Sequence, residues 1–295
     1  MGYLYHFFSV VLMASSPLIN KFSVQGLSPV IAALVNCLSV AIIGVLFTCR
    51  RSQDWKLILK SKKSLMSGAA NALGLLFLFL ALSNEQPATV GLLGRLYIPM
   101  SSILAVFILK ERVTVAGLLL LVVAFSGMLL FAWSSTFSLV ANQGQIFALL
   151  FAFFFALTNI FGKEANISPW VTVAFNHLVG AIMLGIFTCI SEPNFIRILV
   201  TSDGLRSAEL SMLSGVIGGF LGLGFFFKGL QFISIFESNL IRCTSPLFVL
   251  AFSYPFFPVD WNFYKVIGSI LLMSSSILWV LQEVAFKPIK TQLES

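Results

Sequence analysis

Two arginines stand where a chain of this composition can least tolerate them. Arg95 and Arg242 each lie inside a long apolar run, and each is followed four residues later by proline, in Arg95-Leu-Tyr-Ile-Pro99 and Arg242-Cys-Thr-Ser-Pro246. An isolated arginine near the middle of a bilayer costs about 3 kcal/mol or more, so each should face the protein interior or a wet cavity. Proline lacks an N–H and leaves unpaired the carbonyl four residues back, which here belongs to the arginine itself. The expected chemistry is a central polar site with two cationic donors, Arg95 and Arg242, and two acceptors freed by Pro99 and Pro246. A guanidinium grips carboxylate or phosphate through a two-pronged hydrogen bond, so such a site suits an anionic group on a small molecule. The competing role for both arginines is helix tethering through carbonyls of neighbouring helices.

Other polar groups in the apolar runs carry weaker signals. Glu237 lies just inside one run and is a candidate for carrying a coupling proton. It is five residues from Arg242, roughly 140° around a helix, so the two do not pair within it. A boundary shifted slightly would leave Glu237 at the membrane interface. His177 is the second coupling candidate, because imidazole changes charge near neutral pH; a hydrogen bond between helices competes with that role. Asn159 is a candidate substrate ligand. Like Asn36, Asn71 and Asn176, it also fits an interhelical hydrogen bond. Lys21, Lys163 and Lys228 lie near run ends, where snorkelling to the interface is the default. Trp133, Trp170 and Trp261 fit an aromatic belt.

The elements that must position these residues follow from composition. With 58% hydrophobic residues, 10% charged residues and 31 phenylalanines among 295, the chain lacks the polar surface of a soluble protein. It reads as an all-α membrane protein. Ten runs of spanning length fall near 3–21, 29–49, 64–83, 88–109, 113–133, 143–162, 169–190, 211–230, 234–257 and 264–283. The net charge of +7 comes from Lys and Arg clustered at run ends, which marks topology rather than a nucleic-acid surface. The four cysteines imply no disulfide framework. No nucleotide-cradling loop and no His-Glu-x-x-His zinc pair is present, so no cofactor or metal is expected.

Orientation follows from the charges. With the N-terminus inside, twelve Lys and Arg residues fall on the inner side, six of them between Arg50 and Lys63, against Lys21, Arg197, Arg206 and Lys265 outside. Both termini are therefore expected in the cytoplasm. Five helices per half is an odd number, so the second half enters the membrane upside down. The duplication has residue-level support. Pro29 to Asn36 matches Pro169 to Asn176, Phe47-Thr48-Cys49 matches Phe187-Thr188-Cys189, and the two Arg-x-x-x-Pro elements follow in the same order. The expected organisation is a first repeat over 1–133, a second over 143–283, and a cytoplasmic tail over 284–295. Inverted repeats place a substrate site near the bilayer midplane, where Arg95 and Arg242 should lie within roughly 5 Å of the middle.

The segment Ala81-Leu82, Ala88, Pro99, Leu109-Lys110-Glu111-Arg112, Gly117 and Gly127 resembles helices 3 to 5 of the EamA family, in the drug/metabolite transporter superfamily. Asn20-Lys21 and Ala156-Leu157-Thr158-Asn159 through Lys163 are similar to the same pattern. The resemblance implies two five-helix repeats, alternating access and movement of small metabolites. Two departures stand out: Met13-Ala14 where members often carry Trp-Gly, and Pro258-Val-Asp260 in place of Glu-Arg. The resulting expectation is a secondary carrier for a small polar metabolite in the cell (inner) membrane, with the bilayer and that metabolite as partners and no nucleic acid. A facilitative channel is the alternative, and an intramembrane enzyme a more distant one. Oligomeric state has no signature in the sequence.

Overall fold

The structure, a computed structural model, describes residues 1–111, 115–133, 142–256 and 263–286, and every regular element among them is helical. The first half comprises α1 (Gly2–Ser23), α2 (Pro29–Thr48), α3 (Ser52–Lys60), α4 (Lys62–Asn84), α5 (Pro87–Gly94), α6 (Tyr97–Ile108) and α7 (Val115–Trp133). The second comprises α8 (Gln143–Ala165), α9 (Pro169–Ser191), α10 (Phe195–Leu199) and α11 (Ser202–Ser214), then a π-helical segment (Gly215–Gly222), α12 (Leu223–Gly229), α13 (Ile235–Arg242), α14 (Ser245–Ser253) and α15 (Phe263–Phe286).

Local sequence explains where these helices start. Ser28 and Ser168 precede Pro29 and Pro169, which take the first helical position of α2 and α9. There a missing N–H costs nothing. The Ser28 hydroxyl accepts the Ile31 N–H at 3.3 Å, Ser61 does the same for Ser64 at 3.2 Å, and Asn142 for Gln145 at 2.9 Å. α8 ends on Asn166 in the left-handed conformation, φ 50°, which asparagine tolerates better than most residues.

Among the described residues, seven helical stretches are long and apolar enough to cross a bilayer: Gly2–Ser23, Pro29–Thr48, Lys62–Asn84, Gln143–Ala165, Pro169–Ser191, Ser202–Gly229 and Ile235–Ser253. Large apolar side chains such as Phe107 and Ile190 are three-quarters exposed on the outside of the bundle. Water would not favour that surface and lipid does. The protein is a multi-pass integral membrane protein. Sequence boundaries match these helices closely except in one place: the run expected to begin at residue 211 starts at Ser202, where Thr201 caps the Gly204 N–H at 3.1 Å. Hydropathy missed that turn because Ser202, Asp203, Arg206 and Glu209 are polar.

The two halves interlock through equivalent residues. Asn36 on α2 donates to the Ser211 carbonyl on α11 at 3.0 Å, and Asn176 on α9 donates to the Ser67 hydroxyl on α4 at 3.0 Å. Each matched asparagine thus bonds the third long helix of the opposite half. α2 and α9 meet directly, where a Cβ on Gly44 would lie 2.7 Å from the Ala174 Cβ, so only glycine lets the backbones come this close. The bonds expected for Asn36 and Asn176 are therefore interhelical.

The prolines act differently from expectation. The run holding Arg95 is broken between α5 and α6, and the run holding Arg242 between α13 and α14. Pro99 is the third residue of α6 and Pro246 the second of α14, so each lies in the first turn of a new helix. The Arg95 carbonyl accepts the Ile98 N–H at 2.8 Å, which corrects the expectation that Pro99 leaves it unpaired. The side chain of Pro246, Trp133 and Trp261, the Pro258-Val-Asp260 departure and residues 287–295 of the expected tail lie outside what is described; 284–286 still belong to α15.

Candidate substrate cavity

A cavity of about 90 Å3 opens between the halves. Its walls come from the second half of α1, from α2 and α4, from α5 and the break after it, and from α8, α9, α11, the π-helical segment and the start of α12. Arg95, Asn20, Asn36, Asn71, His177 and Ser214 supply its polar surface. Met13, Leu75, Phe151, Phe155 and Leu223 supply much of its apolar surface. No aspartate or glutamate among the described residues lines it. Gly218 and Gly219 of the π-helical segment form part of the wall; a Cβ on Gly218 would collide with the Ser16 hydroxyl, so the cavity exists partly because side chains are missing there.

Arg95 is 7% exposed and its Nε has no hydrogen-bond partner among the described residues. Its position explains why it faces inward: the chain leaves α5 at Gly94 and re-enters helix at Tyr97, so the arginine sits on the break itself. A buried guanidinium N–H without a partner is rare in folded proteins; the Arg242 Nη1 is unpaired too, but only Arg95 lines a cavity that water or a ligand can enter. The Asn71 Nδ2, Asn20 Oδ1 and the hydroxyls of Ser16 and Ser214 are buried and unpaired in the same way, and all four residues line the cavity.

Arg242 is placed differently, which corrects the expectation that both arginines line one site. It is 1% exposed and absent from the cavity wall. Its guanidinium carbon lies 4.2 Å from the Phe226 ring centroid, 5.0 Å from that of Tyr97 and 5.5 Å from that of Phe155. Its Nη2 donates to the Met13 sulfur at 3.3 Å, and Met13 does line the cavity. An aromatic cage of this kind holds a desolvated cation through the negative faces of the rings. Arg95 touches the same Tyr97 ring, at 5.9 Å. The two charges therefore share one aromatic wall, Arg95 on the cavity side and Arg242 behind it.

The remaining expected residues divide. His177 lines the cavity, but its Nδ1 bonds the Val173 carbonyl of its own helix at 2.9 Å rather than another helix. Asn159 is fully buried on α8, with both side-chain polar atoms unpaired among the described residues, and it is not part of the wall. Pro99 lies instead on a separate cleft between α6 and α7, with Ser102, Val106 and Leu118. Glu237 is away from the cavity and caps α13: its carboxylate accepts the Ser234 N–H at 2.6 Å while the Ser234 hydroxyl accepts the Glu237 N–H at 3.0 Å.

Three features escaped the sequence reading. Asn239 on α13 donates to the Ile98 carbonyl at 3.2 Å and to the Ser101 and Ser102 hydroxyls at 2.9 and 2.8 Å, tying the two broken runs together where they cross. Tyr97 joins the two arginines. Glu111 forms an ion pair with Lys163 at 2.7 Å and accepts the Ile235 and Phe236 N–H groups at 3.1 and 3.4 Å. A carboxylate on the first N–H groups of a helix completes its unpaired donors and meets the positive end of its dipole. The signal for Glu111 was present, an acid directly after an apolar run, but its partners are 52 and 124 residues away.

Glu111 lies at the end of the bundle opposite the cavity. The cavity uses α1 from Met13 onward, whereas the N-terminal end of α1 is packed shut. There a Cβ on Gly2 would meet Ile233 at 2.8 Å, and His6 bonds the Ser238 hydroxyl at 3.2 Å. At the cavity end, Lys21 donates to the Leu82 and Glu85 carbonyls at 2.7 and 2.9 Å. Lys163, its counterpart in the other half, reaches the Ile233 carbonyl at 3.4 Å. Neither lysine simply snorkels. Lys21 clasps the end of the third long helix of its own half and the residue after it, Lys163 clasps the loop after the third long helix of its half, and Lys163 also pairs with the Glu111 carboxylate.

Known proteins bear on this arrangement. The profile of the EamA-like transporter family matches residues 1–133 and 142–281. The Uncharacterized transporter YxxF of Bacillus subtilis (strain 168) is 24% identical over 186 residues, 60% of this chain; the match spans 56% of that relative's length. A protein of known crystal structure superposes with a TM-score of 0.76 at 15% identity, over 97% of this chain and 98% of the other, a likeness of fold alone.

Proposed function

The chain belongs to the EamA-like transporter family, and from that premise we propose that it is a secondary carrier for a small polar metabolite bearing a carboxylate or phosphate group. One observation carries the reading: a buried arginine, set on a helix break, lines a cavity without acidic residues and keeps an unpaired N–H. A buried guanidinium with an open N–H on a cavity wall can take a carboxylate or phosphate oxygen of a small ligand.

In this reading ten helices cross the cell (inner) membrane as two inverted five-helix repeats. The two broken runs, α5 with α6 and α13 with α14, each count as one crossing. Both termini are cytoplasmic. The cavity then opens outward, and the Glu111–Lys163 pair closes the cytoplasmic side. Such a division supports a carrier over a channel, since a channel needs a continuous path while here one end is packed shut. Release to the other side requires the Glu111 carboxylate to let go of Lys163 and of the α13 N-terminus. That movement carries Arg242 and Asn239 with α13 and changes the wall behind Arg95.

The test is a thermal-shift screen of carboxylates, phosphates, nucleosides and amines on the purified protein, followed by counterflow in proteoliposomes with whichever compound stabilises it. Stabilisation by anions with saturable counterflow supports the proposal. Stabilisation by cations alone, or flux without counterflow, refutes it.

A further inference from the structure

The cavity recognises more than an anion. His177 Nδ1 faces the Val173 carbonyl at 2.9 Å, and a carbonyl only accepts, so Nδ1 must carry the proton. In the neutral ring the other nitrogen, Nε2, is then an acceptor. It has no partner among the described residues, and it lies beside Gly219, whose added Cβ would come within 3.3 Å of it. Arg95, by contrast, can only donate.

These two groups sit on different walls. Arg95 belongs to the break after α5, which packs against α8 and α14, whereas His177 belongs to α9, which packs against α2, α4 and the π-helical segment. The Ser16 and Ser214 hydroxyls are unpaired as well and can serve as donor or acceptor. Within one small cavity Arg95 therefore asks for an anion, and His177 asks for a donor.

The charge of that donor is decided by what surrounds it. No acidic side chain among the described residues lines the cavity, and the Arg95 guanidinium on its wall shares the Tyr97 ring with that of Arg242 behind it. An ammonium placed here would lose its water without gaining a counter-charge, and would add a third positive charge to the first two. A hydroxyl meets the His177 acceptor without that cost. We infer that the cargo is a monoanion that also bears an uncharged hydrogen-bond donor, hydroxy acids being the simplest such class, with the anion on Arg95 and the hydroxyl on His177 Nε2. The inference rests on the anion reading of Arg95 and adds to it a selection against amino acids of the same skeleton.

Three near-isosteres separate the terms: 2-hydroxyisovalerate, isovalerate, which lacks the donor, and valine, which carries an ammonium in its place. Their dissociation constants are measured by calorimetry on the purified full-length chain, with glycolate and lactate as smaller hydroxy acids. The hydroxy acid should bind about tenfold or more tighter than both analogues, because a site built around a hydrogen bond rejects a ligand that leaves it unmade. His177→Phe should erase the difference between the two acids, and His177→Gln, which keeps an acceptor, should restore part of it. Gly219→Ala crowds Nε2 without touching the imidazole chemistry, and should also narrow the gap if His177→Phe fails to fold. Valine binding as tightly as the hydroxy acid overturns the charge selection. Isovalerate binding as tightly overturns the donor site. Failure of every hydroxy acid overturns the inference while leaving the anion reading intact if other carboxylates or phosphate bind; failure of all anions removes both.

Discussion

Glu111 and Lys163, from opposite halves of the chain, pair at 2.7 Å, and the same carboxylate accepts the N–H of Ile235 at the start of α13. The pair is only partly exposed, at 11% and 24% of the side chains, so it is worth more than a surface ion pair. It joins three helix ends that must separate if the packed end of the bundle is to open.

Glu111→Gln keeps the shape of the side chain and removes its charge. The variant should lose about 1–2 kcal/mol of the stability of this conformation, and about 1.4 kcal/mol corresponds to a tenfold shift in a conformational equilibrium. A cysteine placed at Ser234 in that background should react with a maleimide several times faster than in the parent. Exchanging the charges, Glu111→Lys with Lys163→Glu, should recover only part of the loss, since a lysine cannot cap α13. Equal reactivity in parent and Glu111→Gln would mean the pair does not hold this end closed.

The two arginines should respond differently to the same change. Arg95→Gln should weaken anion affinity by about 2 kcal/mol or more with little effect on melting temperature, and Arg95→Lys should recover part of it because a point charge cannot reproduce the fork. Arg242→Gln should instead lower melting temperature, because it empties a cage built from Tyr97, Phe155 and Phe226. Paired calorimetry and thermal unfolding on both variants check this. A loss of affinity confined to Arg242→Gln would reverse the two roles.

Asn239 offers a test of how the broken helices are joined. Its Nδ2 serves the Ile98 carbonyl and the Ser101 and Ser102 hydroxyls. Asn239→Ala should cost about 2 kcal/mol, at about 1 kcal/mol for each of the two N–H groups that share these three acceptors. Asn239→Asp should cost at least as much, because a carboxylate cannot donate to a carbonyl. Chemical denaturation in detergent gives both values, and a loss under 0.5 kcal/mol for Asn239→Ala, about the scatter of a surface substitution, would show that the crossing holds without it.

Topology is checked by labelling from one side at a time. A cysteine at Ser61 lies beside the basic segment from Arg50 to Lys63, and one at Asn142 caps the far end of α8. In sealed cells Asn142→Cys should react with a membrane-impermeant maleimide, and Ser61→Cys should react only after the membrane is opened. Reaction of both from the outside would contradict the ten-helix arrangement with cytoplasmic termini.

Local order alone determined much of this protein. Apolar runs of bilayer length became helices because a backbone in lipid must satisfy its own hydrogen bonds. Ser28-Pro29 and Ser168-Pro169 became helix starts because proline has no N–H to leave unpaired in the first turn, and at Ser28 the hydroxyl also accepts the Ile31 N–H. The duplication was legible in Asn36 and Asn176, and the cost of a buried charge drew attention to Arg95 before any fold was known.

Only tertiary structure decided what each polar residue meets. Arg95 and Arg242 occupy equivalent places in the sequence, yet one lines a cavity and the other is caged, because Tyr97, Phe155 and Phe226 converge on Arg242 from three separate helices. The hydrogen bond from Ile98 to the Arg95 carbonyl depends on a chain break that no four-residue spacing encodes. The Glu237 cap is a local pairing with Ser234, whereas His177 and Asn71 became lining groups through neighbours distant in sequence. Those neighbours are brought together by packing between halves, and packing is a property of pairs of surfaces that a single run of residues does not contain.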